Sequence, residues 1–97
     1  MKTTVDHEAA TELVMFVEND SRTYFSSLSP IMDGMDKKRQ RGIFDAEKAV
    51  KGFEYCAEYA ARRYVAEFGG LWYQVFNAAT RRAAAVLLLD RYLSDVL

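Results

Sequence analysis

Apolar side chains recur with the period of an α-helix along residues 45–68, DAEKAVKGFEYCAEYAARRYVAEF. At about 100° per residue, Ala46, Ala49, Val50, Phe53, Cys56, Ala57, Ala60, Tyr64 and Phe68 fall on one face, the pattern of a helix buried along one side. Asp45 is placed to cap the first turn and Glu47 complements the positive helix end. Gly69 supplies the left-handed residue that closes helices. Glu47–Lys51, Glu58–Arg62 and Arg63–Glu67 are i, i+4 pairs of opposite charge, worth only about 0.2–0.5 kcal/mol each. The predicted helix is roughly 35 Å long at about 1.5 Å per residue, long enough to organise the rest of the chain.

The back of that helix departs from a plain solvated face. Tyr55 and Tyr59 lie one turn apart there, with Arg62 at the border and Gly52 and Ala66 nearby, where Lys and Glu would be ordinary. Either another helix of the chain covers these tyrosines or they form a contact surface, in which Tyr and Arg are favoured residue types.

Elsewhere the pattern predicts shorter helices. Thr4 or Asp6 caps a first helix reaching about Val17, with Val5, Ala9, Leu13, Phe16 and Val17 as its stripe. The cluster Glu18-Asn19-Asp20-Ser21 predicts a break and a new cap. Residues 20–41 read either as two helices, the second starting at Ser29-Pro30, or as one kinked helix. Ile31, Met32 and Met35 face inward, Gly34 suits close packing against a neighbour, and Gly42 closes the helix behind Lys37-Lys38-Arg39-Gln40-Arg41. Leu71 to Phe76 is too aromatic for a solvated loop and predicts a helical turn plugging the end of a bundle. Asn77 or Thr80 starts a last helix to about Asp95, with Ala78, Ala79, Val86, Leu89, Leu93 and Val96 as its core stripe and Leu88 and Tyr92 as a second apolar strip beside Arg81. Arg82 snorkels outward or pairs with an acid such as Glu67. The fold expected is all-α: one domain over residues 1–97, a bundle of four or five helices around the long central one.

Composition supports a packed core, with 51% hydrophobic and 13% aromatic residues. The net charge of −1 hides an asymmetry. Residues 1–36 hold seven acids and two bases, whereas residues 37–97 hold eleven bases and seven acids. The imbalance allows either a basic face for nucleic acid or pairing of an acidic arm with a basic body, and the pI of about 5.8 weakens the first. No apolar run is long enough for a membrane span, and acids stand where a signal peptide needs apolar residues. The expectation is a chain without a membrane partner in a reducing cytoplasm, with Cys56 as a small buried side chain.

Candidate chemistry is sparse. One His and one Cys, far apart, predict no metal site and no cofactor; His7 reads as solvated. Gly69-Gly70 lacks the strand and the Lys-Ser/Thr of a phosphate loop. No activated nucleophile or perturbed carboxylate stands out, so no catalytic residue is nominated. Two binding surfaces remain. The first, for protein, is Tyr55, Tyr59, Arg62, Trp72, Tyr73, Leu88 and Tyr92, apolar and aromatic positions that one small core struggles to use. A two-fold homodimer is the default if the protein self-associates. The second, for nucleic acid, is Lys37, Lys38, Arg39 and Arg41, whose place at a helix C-terminus has a simpler electrostatic explanation.

The string VEND, then Pro30-Ile31, then RGIFDAEKAVKGFEY and AARRYVAEF, resembles small uncharacterised helical proteins carried by phages and other mobile elements. The likeness covers roughly residues 17–85, and its most specific piece is Gly42-x-Phe44-Asp45 followed by Ala49 and Tyr64…Glu67-Phe68. It implies an all-helical fold and a mobile-element origin. It also implies a protein of the host-cell cytoplasm that binds and disables a host complex, such as a CRISPR–Cas effector. It carries no assigned catalytic residues.

Overall fold

Local capping chemistry sets most of the helix boundaries. The computed structural model describes residues 4–97, in which helices account for most of the chain and no strand occurs. Helix α1 spans His7–Asn19; the Asp6 carboxylate accepts the Ala9 N–H at 3.0 Å and caps it. Asp20 breaks the chain and caps the next helix through the Thr23 N–H at 2.9 Å. That helix, α2, runs without interruption over residues 21–40, so Pro30 does not begin a separate helix. The chain absorbs the proline through a wide turn, Tyr24–Leu28, in which the Ser29 N–H reaches back to the Tyr24 carbonyl. Pro30 has no N–H to give and its ring crowds the carbonyl four residues earlier, and a widened turn just upstream relieves both.

Helix α2 ends at Gly42, φ +72°, with the Gly42 N–H on the Arg39 carbonyl and the Ile43 N–H on the Lys38 carbonyl. The long helix α3 spans Ala46–Phe68. Asp45 caps it, accepting from the Glu47 and Lys48 amides, and Gly69 at φ +91° follows it. A single turn, α4, spans Trp72–Val75, and α5 spans Ala78–Val96 behind an Asn77 cap. No helix among the described residues is long and apolar enough to cross a membrane.

Helices α1, α3 and α5 pack against one another and α2 closes the remaining side. Helices α1 and α5 run in the same direction. At one end the Asp6 N–H donates to Thr80 Oγ1 at 3.0 Å, and at the other Arg91 meets Glu18 at 2.5 Å. Helix α3 runs against α5, with Tyr64 on Phe76 near one end and Phe53 beside Tyr92 near the other. The core joins Leu13, Val14 and Val17 of α1 to Phe53, Cys56 and Ala60 of α3 and Ala84, Leu88 and Tyr92 of α5.

Several helix faces differ from the sequence pattern. On α1, Ala10 and Val14 are buried beside Leu13 and Val17, while Val5 and Ala9 are only partly covered. On α3, Ala61 joins the core while Ala46 and Phe68, at the helix ends, are exposed. Gly34 has no neighbour within 4 Å of where a Cβ would lie, so close packing does not explain it. Gly52 is the position where α2 approaches α3: a Cβ there would meet Met35 Cε at 3.1 Å and Ile31 Cγ2 at 3.5 Å.

The largest correction concerns α5. Its buried arc is Thr80, Ala84, Ala85, Leu88, Leu89 and Tyr92, while Ala78 and Val86, assigned to the core by pattern, are exposed. Two helices, α1 and α3, cover α5 from different sides, so its buried arc is wider than a single stripe and turned away from Val86.

Candidate protein-binding surface

The back of α3 is open where it carries its tyrosines. Tyr55 is 63% exposed and Tyr59 half-buried, so no helix among the described residues covers Tyr55. The asparagine cap and the turn before it bring two further elements to this face. Gly69 and Gly70, both at positive φ, fold the chain back over the end of α3. A Cβ at Gly70 would lie 2.9 Å from Val75 Cγ2, so the reversal needs glycine for space as well as conformation. The reversal sets Phe76 into the core, in edge contact with Tyr64, and leaves Trp72 half-buried beside α3.

Trp72 gathers the cations of this region. The Arg62 guanidinium carbon lies 4.4 Å from the ring centroid and that of Arg81 lies 4.7 Å away. Both distances fall inside the range of cation–π attraction. Tyr73 stands edge-on to Trp72 at 5.7 Å and is itself 52% exposed. Arg81 also donates to the Phe76 carbonyl at 2.6 Å, locking the turn to the start of α5. Two shallow hollows flank Tyr55: one of about 190 Å³ between Glu54, Glu58, Ala78 and Arg81, the other of about 180 Å³ between Glu58, Tyr59 and Arg62. Glu54 holds Arg82 at 2.6 Å and Glu58 holds Arg62 at 3.8 Å. The partner of Arg82 is thus Glu54 of the facing helix, not Glu67.

The fold therefore brings Tyr55, Tyr59, Arg62, Trp72 and Tyr73 to one side of the molecule and excludes Leu88 and Tyr92 from it. Leu88 is 3% and Tyr92 4% exposed, both in the core, which overturns the expectation that they form a free strip. Tyr92 points its hydroxyl at the other end of the bundle, donating to Asp36 at 2.5 Å, with Arg39 beside the ring. Burial, followed by the Asp36 bond, pushes the Tyr92 phenol above its ordinary pKa. Arg81 is the residue that sequence reasoning left out of the site. Its spacing from Trp72 has no helical period to reveal it, because a loop joins the two.

The basic run behaves differently. Lys37, Lys38 and Arg41 are exposed, while Arg39 is bonded to Asp36 at 3.4 Å and to the Tyr92 hydroxyl at 3.5 Å. Tyr92 lies eleven residues from Arg81 along α5, roughly 16 Å at about 1.5 Å per residue. The run and the Arg62–Arg81 group thus sit towards opposite ends of the bundle. Two acids of the first third of the chain pair with the later helices: Glu18 with Arg91, and Asp20 with Arg63 at 3.9 Å.

Cys56 is fully buried, its sulfur 3.3 Å from the Ser27 hydroxyl, which also donates to the Thr23 carbonyl at 2.7 Å. Burial pushes the thiol up to about 11, so almost no thiolate exists near neutrality. Among the described residues no group of three or more His, Cys, Asp or Glu is arranged to hold a metal. Compared with known proteins, the chain matches no family model, no curated protein and no solved structure.

Proposed function

We propose that the protein is a non-enzymatic protein-binding module whose contact surface is built on Tyr55, Tyr59, Arg62, Trp72 and Tyr73. The observation that carries the reading is the exposure of Tyr55 on the outer face of α3, next to a tryptophan stacked by two arginines. Tyrosine, tryptophan and arginine are enriched among the few residues that dominate interface energies, and here the contacts of Arg62 and Arg81 with Trp72 partly order those three before any partner arrives. Cys56, the one thiol of the chain, is buried and unsuited to nucleophilic work.

The resemblance to proteins of mobile elements extends the proposal to a target: a host complex in the cytoplasm, such as a CRISPR–Cas effector, that binding inhibits. Self-association as a two-fold dimer through the same tyrosines belongs to this reading. Light scattering on the wild type and on the Tyr55→Glu, Tyr59→Glu double variant tests the dimer: a dimer that becomes a folded monomer is expected, and a monomeric wild type refutes it. For the host target, the immobilised protein should retain a partner from a host lysate that the folded double variant loses. Retention unchanged by the substitutions refutes this surface.

The second reading, nucleic-acid binding, rests on the exposure of Lys37, Lys38 and Arg41. Phosphate contact would make affinity fall steeply with salt. Duplex DNA binding that disappears on charge reversal at those three positions would promote it, and no binding at low salt would end it.

A further inference from the structure

The arginines beside Trp72 are incompletely paired among the described residues. Arg62 and Arg81 lie over its ring, and Glu54 and Glu58 line the adjoining hollows. Glu54 is taken by Arg82 at 2.6 Å, and Glu58 reaches Arg62 only at 3.8 Å. Arg81 makes no ion pair among the described residues; its hydrogen bond goes to the neutral Phe76 carbonyl. Attraction to one indole holds both Arg62 and Arg81 beside Trp72, their guanidinium carbons 4.4 and 4.7 Å from its ring centroid. The start of α5, beside Ala78, adds the partial positive charge of a helix N-terminus to the same hollow. The other lining is the exposed face of Tyr55 and the half-buried Tyr59.

We propose that this surface recognises an acidic segment of a partner protein, with a partner carboxylate bridging Arg62 and Arg81 and neighbouring apolar side chains lying on Tyr55 and Tyr59. The inference rests on the protein-binding reading and names the chemistry of its partner. A carboxylate completes what the site lacks: guanidinium forks donate to it in two-bond geometry, and Arg81 has no ion-pair partner among the described residues. A nucleic-acid strand fits less well, because its closely spaced phosphates would have to pass Glu54 and Glu58 in the same hollows. An acidic peptide can place a carboxylate at the arginines and apolar groups beside the glutamates.

Trp72 is the single tryptophan of the chain and reports directly on this site. The experiment titrates the protein with a short synthetic peptide of alternating Glu and Leu, with its Lys–Leu counterpart, and with a single-stranded oligonucleotide, following tryptophan emission at low and high salt. The acidic peptide should shift the emission saturably and bind more weakly as salt rises. Arg81→Gln and Arg62→Gln should each weaken it roughly tenfold, and the double variant should lose it. Because these substitutions also alter the surroundings of the indole, calorimetry measures the variants' affinities and circular dichroism verifies their fold. Equal or tighter binding of the Lys–Leu peptide or the oligonucleotide overturns the proposal. So does undiminished acidic-peptide binding by a folded double variant, or no binding at millimolar peptide. If lysate capture through Tyr55 and Tyr59 succeeds while the acidic peptide fails, the protein-binding reading stands and the acidic partner falls.

Discussion

Leu88→Ala and Val86→Ala, compared side by side, decide which face of α5 carries the core. Leu88 is 3% exposed and Val86 is 47% exposed. Leu88→Ala removes three buried carbons, about 2.4 kcal/mol at roughly 0.8 kcal/mol per methylene. The cavity left between α1, α3 and α5 adds to this, which places the loss at about 3 kcal/mol within the usual range of about 2–5. Val86→Ala removes two carbons that are half in water, about 0.8 kcal/mol by the same arithmetic. Replacing a β-branched residue with alanine inside a helix returns about 0.5 kcal/mol, so the net change is near zero. A domain of 97 residues holds about 5–15 kcal/mol in total, and the Leu88 loss is a large part of that. Urea unfolding followed by far-UV circular dichroism measures both, with unchanged m values verifying two-state behaviour. A Val86→Ala loss equal to or larger than that of Leu88→Ala refutes the orientation of α5 and restores the stripe through Val86.

Three further outcomes follow from the capping and titration chemistry. The Asp20 carboxyl is held below its ordinary pKa by the Thr23 amide, so its stabilisation is present above the unfolded carboxylate range and is lost as pH falls through the lowered value; Asp20→Ala should destabilise the fold at neutral pH and flatten the acid limb of a stability profile, and an unchanged limb refutes it. The Tyr92 phenol is raised, so its contribution is complete below the unfolded tyrosine value and fades as pH rises through the folded one. Tyr92→Phe should cost about 1 kcal/mol at neutral pH through the lost Asp36 bond and blunt the alkaline loss of stability, whereas a cost-free substitution would show that bond to be idle. Cys56, buried with its thiol at about 11, should resist a thiol reagent near neutral pH and react in step with urea unfolding; rapid stoichiometric labelling of the native protein contradicts its placement.

Elements whose ends are chemical were legible in the amino-acid sequence. Asp45 and Gly69 bound α3, Asp20 breaks the chain and Gly42 ends α2, because each acts on amides or carbonyls within a few residues of itself, whereas Asn77 and Thr80 were equally suited to start α5 and the structure selects Asn77. The core face of α3 was legible for a related reason: its large apolar residues follow one helical period with charged residues between them. Tertiary structure alone decided the rest. In α5, Leu87-Leu88-Leu89 spans too much of the helix circumference for periodicity to select a face, and alanine suits either environment. The buried arc was chosen by its neighbours: α1 and α3 contact α5 from two sides, the Asp6 amide draws in Thr80, and Asp36 of α2 draws in Tyr92. Pro30 fitted two local structures equally well, and the wide turn ahead of it sets Ser27 against Cys56, a contact across 29 residues of sequence. The site divides along the same line. Tyr55, Tyr59 and Arg62 are visible as a face of one helix, whereas the pairing of Arg62 with Arg81 over Trp72 joins three elements whose relative placement no local period encodes.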